Sequence, residues 1–195
     1  MVFLRLFLIF FVSALVVSNA QPVRAVDFQI GVQRLYPVLG TNKQKYKENN
    51  GNKLSFKPHI EENIPGQAVN IGLKFENFAI NLESNEFTYE STIDSDNPLV
   101  EDDLPVDGKV TSSRLSLSYH WERELAGVYL GGGISNDTET VTASSREWTA
   151  ESQNPFFRVG FDLIFGIWRI RADQLMYSID QHKAKIYSLG IQFLF

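Results

Sequence analysis

Cysteine is absent from the 195-residue chain, which excludes disulfides, thiolate metal sites and cysteine nucleophiles by inspection. Positive charge is scarce: 18 Lys and Arg stand against 23 Asp and Glu, and neither half carries the dense basic stripe that neutralises phosphates. That balance repels nucleic acid and removes it as a partner. Long apolar runs are missing after the first twenty residues. A bilayer helix needs about 20 apolar residues, so any membrane entry by the rest of the chain must use a closed sheet, in which every backbone group finds a neighbour. Internal repeats and low-complexity tracts are lacking as well, and the length fits one folded domain.

The first segment has the three-part layout of a secretory signal peptide. Arg5 precedes the apolar residues 6–17, and Ser18, Asn19 and Ala20 then turn small and polar. The apolar part is too short for a bilayer anchor. Residues 1–20 are therefore expected to be removed, with Ala25 as an alternative end, leaving 26–195 as the folded domain.

From residue 26 onward, apolar residues recur at every second position in eight stretches, the signal of strands with one greasy face. The first sets Val26, Phe28, Ile30 and Val32 against Asp27, Gln29, Gly31 and Gln33. The second sets Val69, Ile71, Leu73 and Phe75 against Asn70, Gly72 and Lys74; the third sets Phe78, Ile80 and Leu82 against Ala79, Asn81 and Glu83. In the third, Phe87 and Tyr89 fall out of phase, and a bulge is expected to return them to the apolar side. The fourth pairs Leu115, Leu117, Tyr119 and Trp121 with Arg114, Ser116, Ser118 and His120. The fifth pairs Val128, Leu130 and Ile134 with Tyr129, Gly131 and Gly133. The sixth alternates Phe157, Val159, Phe161, Leu163 and Phe165 with Arg158, Gly160 and Asp162. The seventh has Ile170 and Ala172 opposite Arg169, Arg171 and Asp173, with a shift expected toward Leu175, Tyr177 and Ile179. The eighth runs Tyr187, Leu189, Ile191, Phe193 and Phe195 against Ser188, Gly190 and Gln192.

Short breaks at 76–77, 122–125 and 166–167 alternate with long polar segments near 37–66, 91–108 and 135–153. Such asymmetry distinguishes periplasmic turns from outer loops in membrane barrels, which puts both termini on the periplasmic side and residues 180–183 outside.

The ending Ser188-Leu189-Gly190-Ile191-Gln192-Phe193-Leu194-Phe195 resembles the C-terminal signal of bacterial outer-membrane barrels: polar, any, glycine, two of any, aromatic, any, aromatic. With the signal peptide and the glycine-rich strand 127–133, the chain resembles the small outer-membrane β-barrel superfamily, which includes the outer-membrane protein A transmembrane domain and opacity-type barrels. The resemblance implies an all-β fold, an eight-stranded antiparallel up-and-down transmembrane β-barrel over 26–195. It implies a Gram-negative outer-membrane location reached through the periplasm. Implied partners are outer-membrane lipid, lipopolysaccharide and the barrel-assembly machinery, which would read Ser188, Gly190, Phe193 and Phe195. A monomer is the favoured state. The alternative from the residues alone is a soluble lipocalin-like barrel, whose apolar face points inward.

The charges on the minor face weigh between the two. Lys74, Glu83, Arg114, Arg158, Asp162, Arg171 and Asp173 are of mixed sign and suit a lumen in which they pair. An eight-stranded interior is just wide enough for side chains to fill, so a plugged barrel is expected.

Chemistry is harder to find. Some barrels of this size are lipid A acylases or deacylases, needing a serine activated by histidine; His59, His120 and His182 open no His-x-Ser pair, so no catalytic residue is nominated and no enzyme is expected. His59 with Glu61 and Glu62, or Asp94, Asp96, Glu101, Asp102, Asp103 and Asp107, has the oxygen ligands for a divalent ion. Solvated loop charge is the simpler reading, and neither metal nor cofactor is expected. Lys43, Lys45, Lys47, Lys53 and Lys57 offer a counter-charge to lipopolysaccharide phosphates. The sequon at 136–138 has no meaning in a bacterial outer membrane. Tyr36, Tyr119, Trp121, Trp168 and Tyr187 read as interface anchors. The implied role is a surface barrel for envelope integrity or adhesion through its outer loops, ahead of a narrow pore and a lipid-modifying enzyme.

Overall fold

The computed structural model describes residues 26–39, 44–48, 53–94, 104–143, 146–177 and 184–195, and the regular structure among them is strand throughout. The expected signal peptide, with either end, lies outside them. In order these are β1 (Val26–Val38), β2 (Gln44–Glu48), β3 (Lys53–Phe75), β4 (Phe78–Asp94), β5 (Leu104–Glu122), β6 (Ala126–Ala143), β7 (Arg146–Phe165), β8 (Trp168–Tyr177) and β9 (Lys185–Leu194).

Alternating sequences bury one face only when the sheet curls on itself. Here β1 and β3 to β9 pair antiparallel in chain order, and β1 closes the ring between β3 and β9. The expected eight-stranded up-and-down barrel is the observed one. At the seam the final residue still pairs: Phe28 and Phe195 exchange both main-chain hydrogen bonds at 3.0 Å. Two short turns stand where expected, at 76–77 and 166–167, with Glu76 and Gly166 supplying the positive φ that tight hairpins need, and the third is shorter than the expected 122–125, because Glu122 ends β5 and leaves 123–125 as the turn.

The wall has an apolar outside. Phe157, Val159, Phe161, Leu163 and Phe165 of β7 and Leu189 and Ile191 of β9 are all exposed, as are their counterparts around the ring. Phe161 and Leu189 therefore face away from the interior, which removes the lipocalin-like alternative. A band of this extent exceeds the apolar patch that a soluble monomer exposes and matches the outward belt of a membrane barrel. On the turn side it ends in packed aromatics: Phe78 against Tyr119 at 4.9 Å, Tyr119 against Trp121 at 4.6 Å, and Trp168 against Phe193 at 4.1 Å.

Three expectations need correction. The segments 53–65, 91–94, 104–108, 135–143 and 146–153 are strand, so much of what reads as long polar loop is wall. Phe87 and Tyr89 do not return to the outer face: pairing of β4 with β5 is continuous through them, and both are buried inside the barrel. The bulges lie on β3 instead, between Ile60 and Glu62 and between Ile64 and Gln67. Likewise β8 keeps one phase to its end, and Leu175 points inward at 1% exposure; Ile179 lies outside the described residues.

One physical cause explains the misread side chains. Strands β3 to β7 outrun the apolar belt, and beyond it the two faces exchange character. Outside stand Glu86, Glu90, Asp107, Lys109, Asn136, Glu151 and Gln153; inside stand Phe87, Tyr89, Val106, Val141 and Trp148. Within the belt the barrel is polar inside and greasy outside, and past it the order is that of a water-soluble protein. β2 completes this upper tier: it pairs with Lys53–Phe56 of β3 and with Trp148 and Thr149 of β7, above the shorter β1, β8 and β9. Val106, Val141, Ala143 and Trp148 form the tier's own apolar core.

Candidate functional site

Inward positions of the membrane tier carry charge, and tight inter-strand spacing forces those charges together. Glu83 on β4 accepts from Arg114 of β5 at 2.7 Å and from Arg158 of β7 at 2.6 Å. Arg158 reaches on to Asp173 of β8, 3.9 Å away. Asp173 also accepts from the Tyr129 hydroxyl at 2.6 Å and from Ser188 at 2.7 Å. A second group lies nearer the turns. Arg171 grips Asp162 in bidentate fashion at 2.8 and 2.9 Å, Arg169 lies 3.6 Å from the same carboxylate, and Glu122 accepts from Lys74 at 3.0 Å and from Arg169. The Tyr129 ring joins the groups, with the Arg171 guanidinium 4.4 Å from its centroid and His120 stacked on it at 4.9 Å.

All seven sequence-nominated lumen charges thus face inward and meet through the two groups. Glu122, Arg169, His120 and Tyr129 belong with them and were not nominated. Arg169 and His120 stand on the charged face of their strands in the plain alternation, and Glu122 continues the run 114, 116, 118, 120 by one step into what reads as a turn.

The network is compact because glycines sit opposite its largest members. Gly160 is the cross-strand partner of Tyr129, and a Cβ there would overlap the phenol ring; Gly108 stands in the same relation to Tyr89. Above the charges lies an apolar layer of Leu35, Ala68, Phe87, Phe156, Leu175 and Ile186, and above that the Tyr89 hydroxyl donates to Glu139. Side chains from Glu83 and Arg114 up to Leu35 and Ile186 are nearly inaccessible.

One constellation has the outline of catalytic machinery. Ser118 and His120 share a strand face, with Ser118 Oγ 2.9 Å from His120 Nε2, and His120 Nδ1 lies 3.4 Å from Glu122 and 3.7 Å from Asp162. The order is Ser-x-His, the reverse of the His-x-Ser pair whose absence is noted above. A serine nucleophile needs open space for a carbonyl and donors for its oxyanion. Ser118 is 5% exposed and His120 1%, and both acids already hold cations. The same fact speaks against a metal at His120, Glu122 and Asp162, whose ligand atoms lie within 4.8 Å of one another. Lys74, Arg169 and Arg171 occupy the approaches and would repel a dication. These residues are lumen packing.

The remaining nominated residues scatter. Glu61, Glu62 and Asp107 are exposed, and Asn136 accepts from Gln153 at 2.9 Å on the outer face. His182, Lys43, Asp96, Glu101, Asp102 and Asp103 lie outside the described residues, as do the side chains of His59, Asp94, Lys45, Lys47, Lys53 and Lys57. Tyr36 and Tyr187 form a cross-strand pair on the outer wall away from the turns. Of the C-terminal motif, Phe193 and Phe195 face outward and Ser188 and Gly190 inward, so the motif coincides with the closing strand.

A closed, belted barrel of eight antiparallel wall strands with a charge-filled lumen defines a transmembrane β-barrel, and the fold is that of the small outer-membrane barrels. Known structures agree. Neisserial surface protein A superposes with a TM-score of 0.58 at 12% identity, over 88% of this chain and 100% of that one. The outer membrane protein OprG of Pseudomonas aeruginosa gives 0.63 at 13%, over 88% and 97%. Ail, the attachment invasion locus protein of Yersinia pestis, in complex with the heparin analogue sucrose octasulfate, gives 0.56 at 13%, over 88% and 100%. No protein-family pattern matches the sequence, and no curated protein is detectably similar to it.

Proposed function

We propose that the chain is a non-enzymatic outer-membrane surface protein that holds a rigid, polar β-tier above the membrane for recognition or adhesion, and that it conducts no solute. The observation that carries this reading is the exchange of inside and outside at the top of the belt. It makes the exterior part a preformed scaffold with its own core, Trp148 at its centre, instead of a set of loops. Rigid scaffolds lower the ordering cost of binding. The attachment for which Ail is named supports the direction of the reading, on likeness of fold alone.

A narrow pore is the second reading. Buried amide atoms of Gln29, Gln33, Asn81 and Asn85 lack a protein partner, and such groups call for water. Planar-bilayer recording on the purified barrel separates the two. A silent bilayer supports the surface protein, and stable single-channel steps would replace it with the pore. Retention in the outer-membrane fraction, with heat-dependent migration on a denaturing gel, tests the location.

A further inference from the structure

A cation on the lipid-facing wall is expensive unless it reaches an anionic headgroup. Arg34 on β1 and Lys185 on β9 are both exposed there, and no carboxylate stands within ion-pair distance of either among the described residues. The outward positions of β1, β8 and β9, and of β3 from Gln67 to Phe75, hold no Asp or Glu at all. Arg34 lies beside Leu189 and Gln67; Lys185 lies beside Val38 and Met176. Both are on the half of the wall away from the short turns. From the register they are four residues and one strand apart, about 14 Å.

A polar row fills the space between them. Gln174, in an outward position of β8, donates to the Tyr187 hydroxyl at 3.4 Å, and Tyr187 is the cross-strand partner of Tyr36. One step toward the turns the wall dips. Ala172 stands between Phe161 and Leu189, and its small side chain leaves a shallow groove that continues past Val159 to Tyr36 and Tyr187.

We infer that this patch binds the lipid A part of lipopolysaccharide, resting on the outer-membrane location proposed above. One phosphate of the lipid sits on Arg34 and the other on Lys185. The disaccharide between them lies against Gln174, Tyr36 and Tyr187, and an acyl chain runs down the groove over Ala172. The cation spacing favours an occupant with an anion at each end of a sugar pair; a phospholipid's single phosphate engages only one of them.

The test is native mass spectrometry of the detergent-solubilised barrel with bisphosphoryl lipid A, monophosphoryl lipid A and phosphatidylglycerol. One equivalent of bisphosphoryl lipid A should bind. The R34Q/K185Q variant should bind it roughly tenfold more weakly or worse, since each basic residue near an anionic surface contributes appreciably, and Ala172→Phe should weaken it by filling the groove. Weaker binding of monophosphoryl lipid A to the unaltered protein reads the two-phosphate requirement without any substitution. Equal affinity of R34Q/K185Q for bisphosphoryl lipid A would overturn the site, and so would equal affinity of the unaltered protein for phosphatidylglycerol. Loss of heat-dependent migration in the unaltered protein would instead refute the membrane barrel on which the site depends.

Discussion

Glu83 shows how much a single lumen residue carries. It is the shared acceptor of Arg114 and Arg158, and all three are almost wholly inaccessible. Neutralising it as Glu83→Gln keeps the volume and removes the charge that both guanidinium groups share, and breaking a buried pair in this way costs about 3–5 kcal/mol. Urea unfolding of the detergent-folded barrel should show the loss; an unchanged midpoint would mean that the other partners, Asp173 for Arg158 and Ser135 for Arg114, balance the arginines without Glu83. Gly160 offers a steric counterpart. Gly160→Val pushes into the Tyr129 ring, and overpacking of that kind costs about 1–3 kcal/mol. Tyr129→Ala added to it should relieve the clash, so that the pair is less than additive in the same assay. At this scale the sequence was informative: the alternation placed Lys74, Arg114, Arg158, Asp162, Arg171 and Asp173 on one side of the wall, and period two has no other solution within the belt. Which arginine meets which acid was not legible, because that depends on the shear between strands distant in sequence, as Glu83 and Arg158 are.

Among elements, the strands beyond the belt were the hard part. Alternation says that two faces differ, but which face is wet depends on the solvent outside. Phe87 and Tyr89 continue the phase of Glu83 without a break; they looked displaced because hydrocarbon gives way to water beside β4. Thr- and Glu-rich stretches such as 135–143 and 146–153 read as loop for a related reason, since few of their inward positions are large and apolar. The upper tier should accordingly have a stability of its own. Trp148→Ala removes the centre of its core, a loss of about 3–5 kcal/mol for a large buried aromatic. Limited proteolysis should then cut within 135–153, while the belted barrel keeps its heat-dependent migration. Loss of that migration with Trp148→Ala would show instead that the tiers fold as one unit.

For the whole molecule, the seam between β1 and β9 runs through to Phe195. The Phe195 main chain exchanges two hydrogen bonds with Phe28, and its ring joins Phe193 on the lipid side at 6.4 Å. Phe195→Ala preserves the main-chain bonds and removes the ring. Refolding yield in detergent should stay near that of the unaltered protein, whereas the amount assembled in outer membranes should fall if the assembly machinery reads this aromatic. Equal fractions in cells would take Phe195 out of the proposed signal. The eight wall strands and their order were legible in advance, since both follow from period two, short breaks and a closed sheet; β2 was not, because residues 44–48 carry no alternation and read as part of a polar loop.

The reversal of wet and dry faces also ties the upper tier's shelter to the company its strands keep. Val106, Val141 and Trp148 are covered only where β5, β6 and β7 meet past the belt, so a single hairpin of that tier would leave its greasy residues bare. Until all three strands are side by side, anything that engages their tips meets a surface the closed protein never shows.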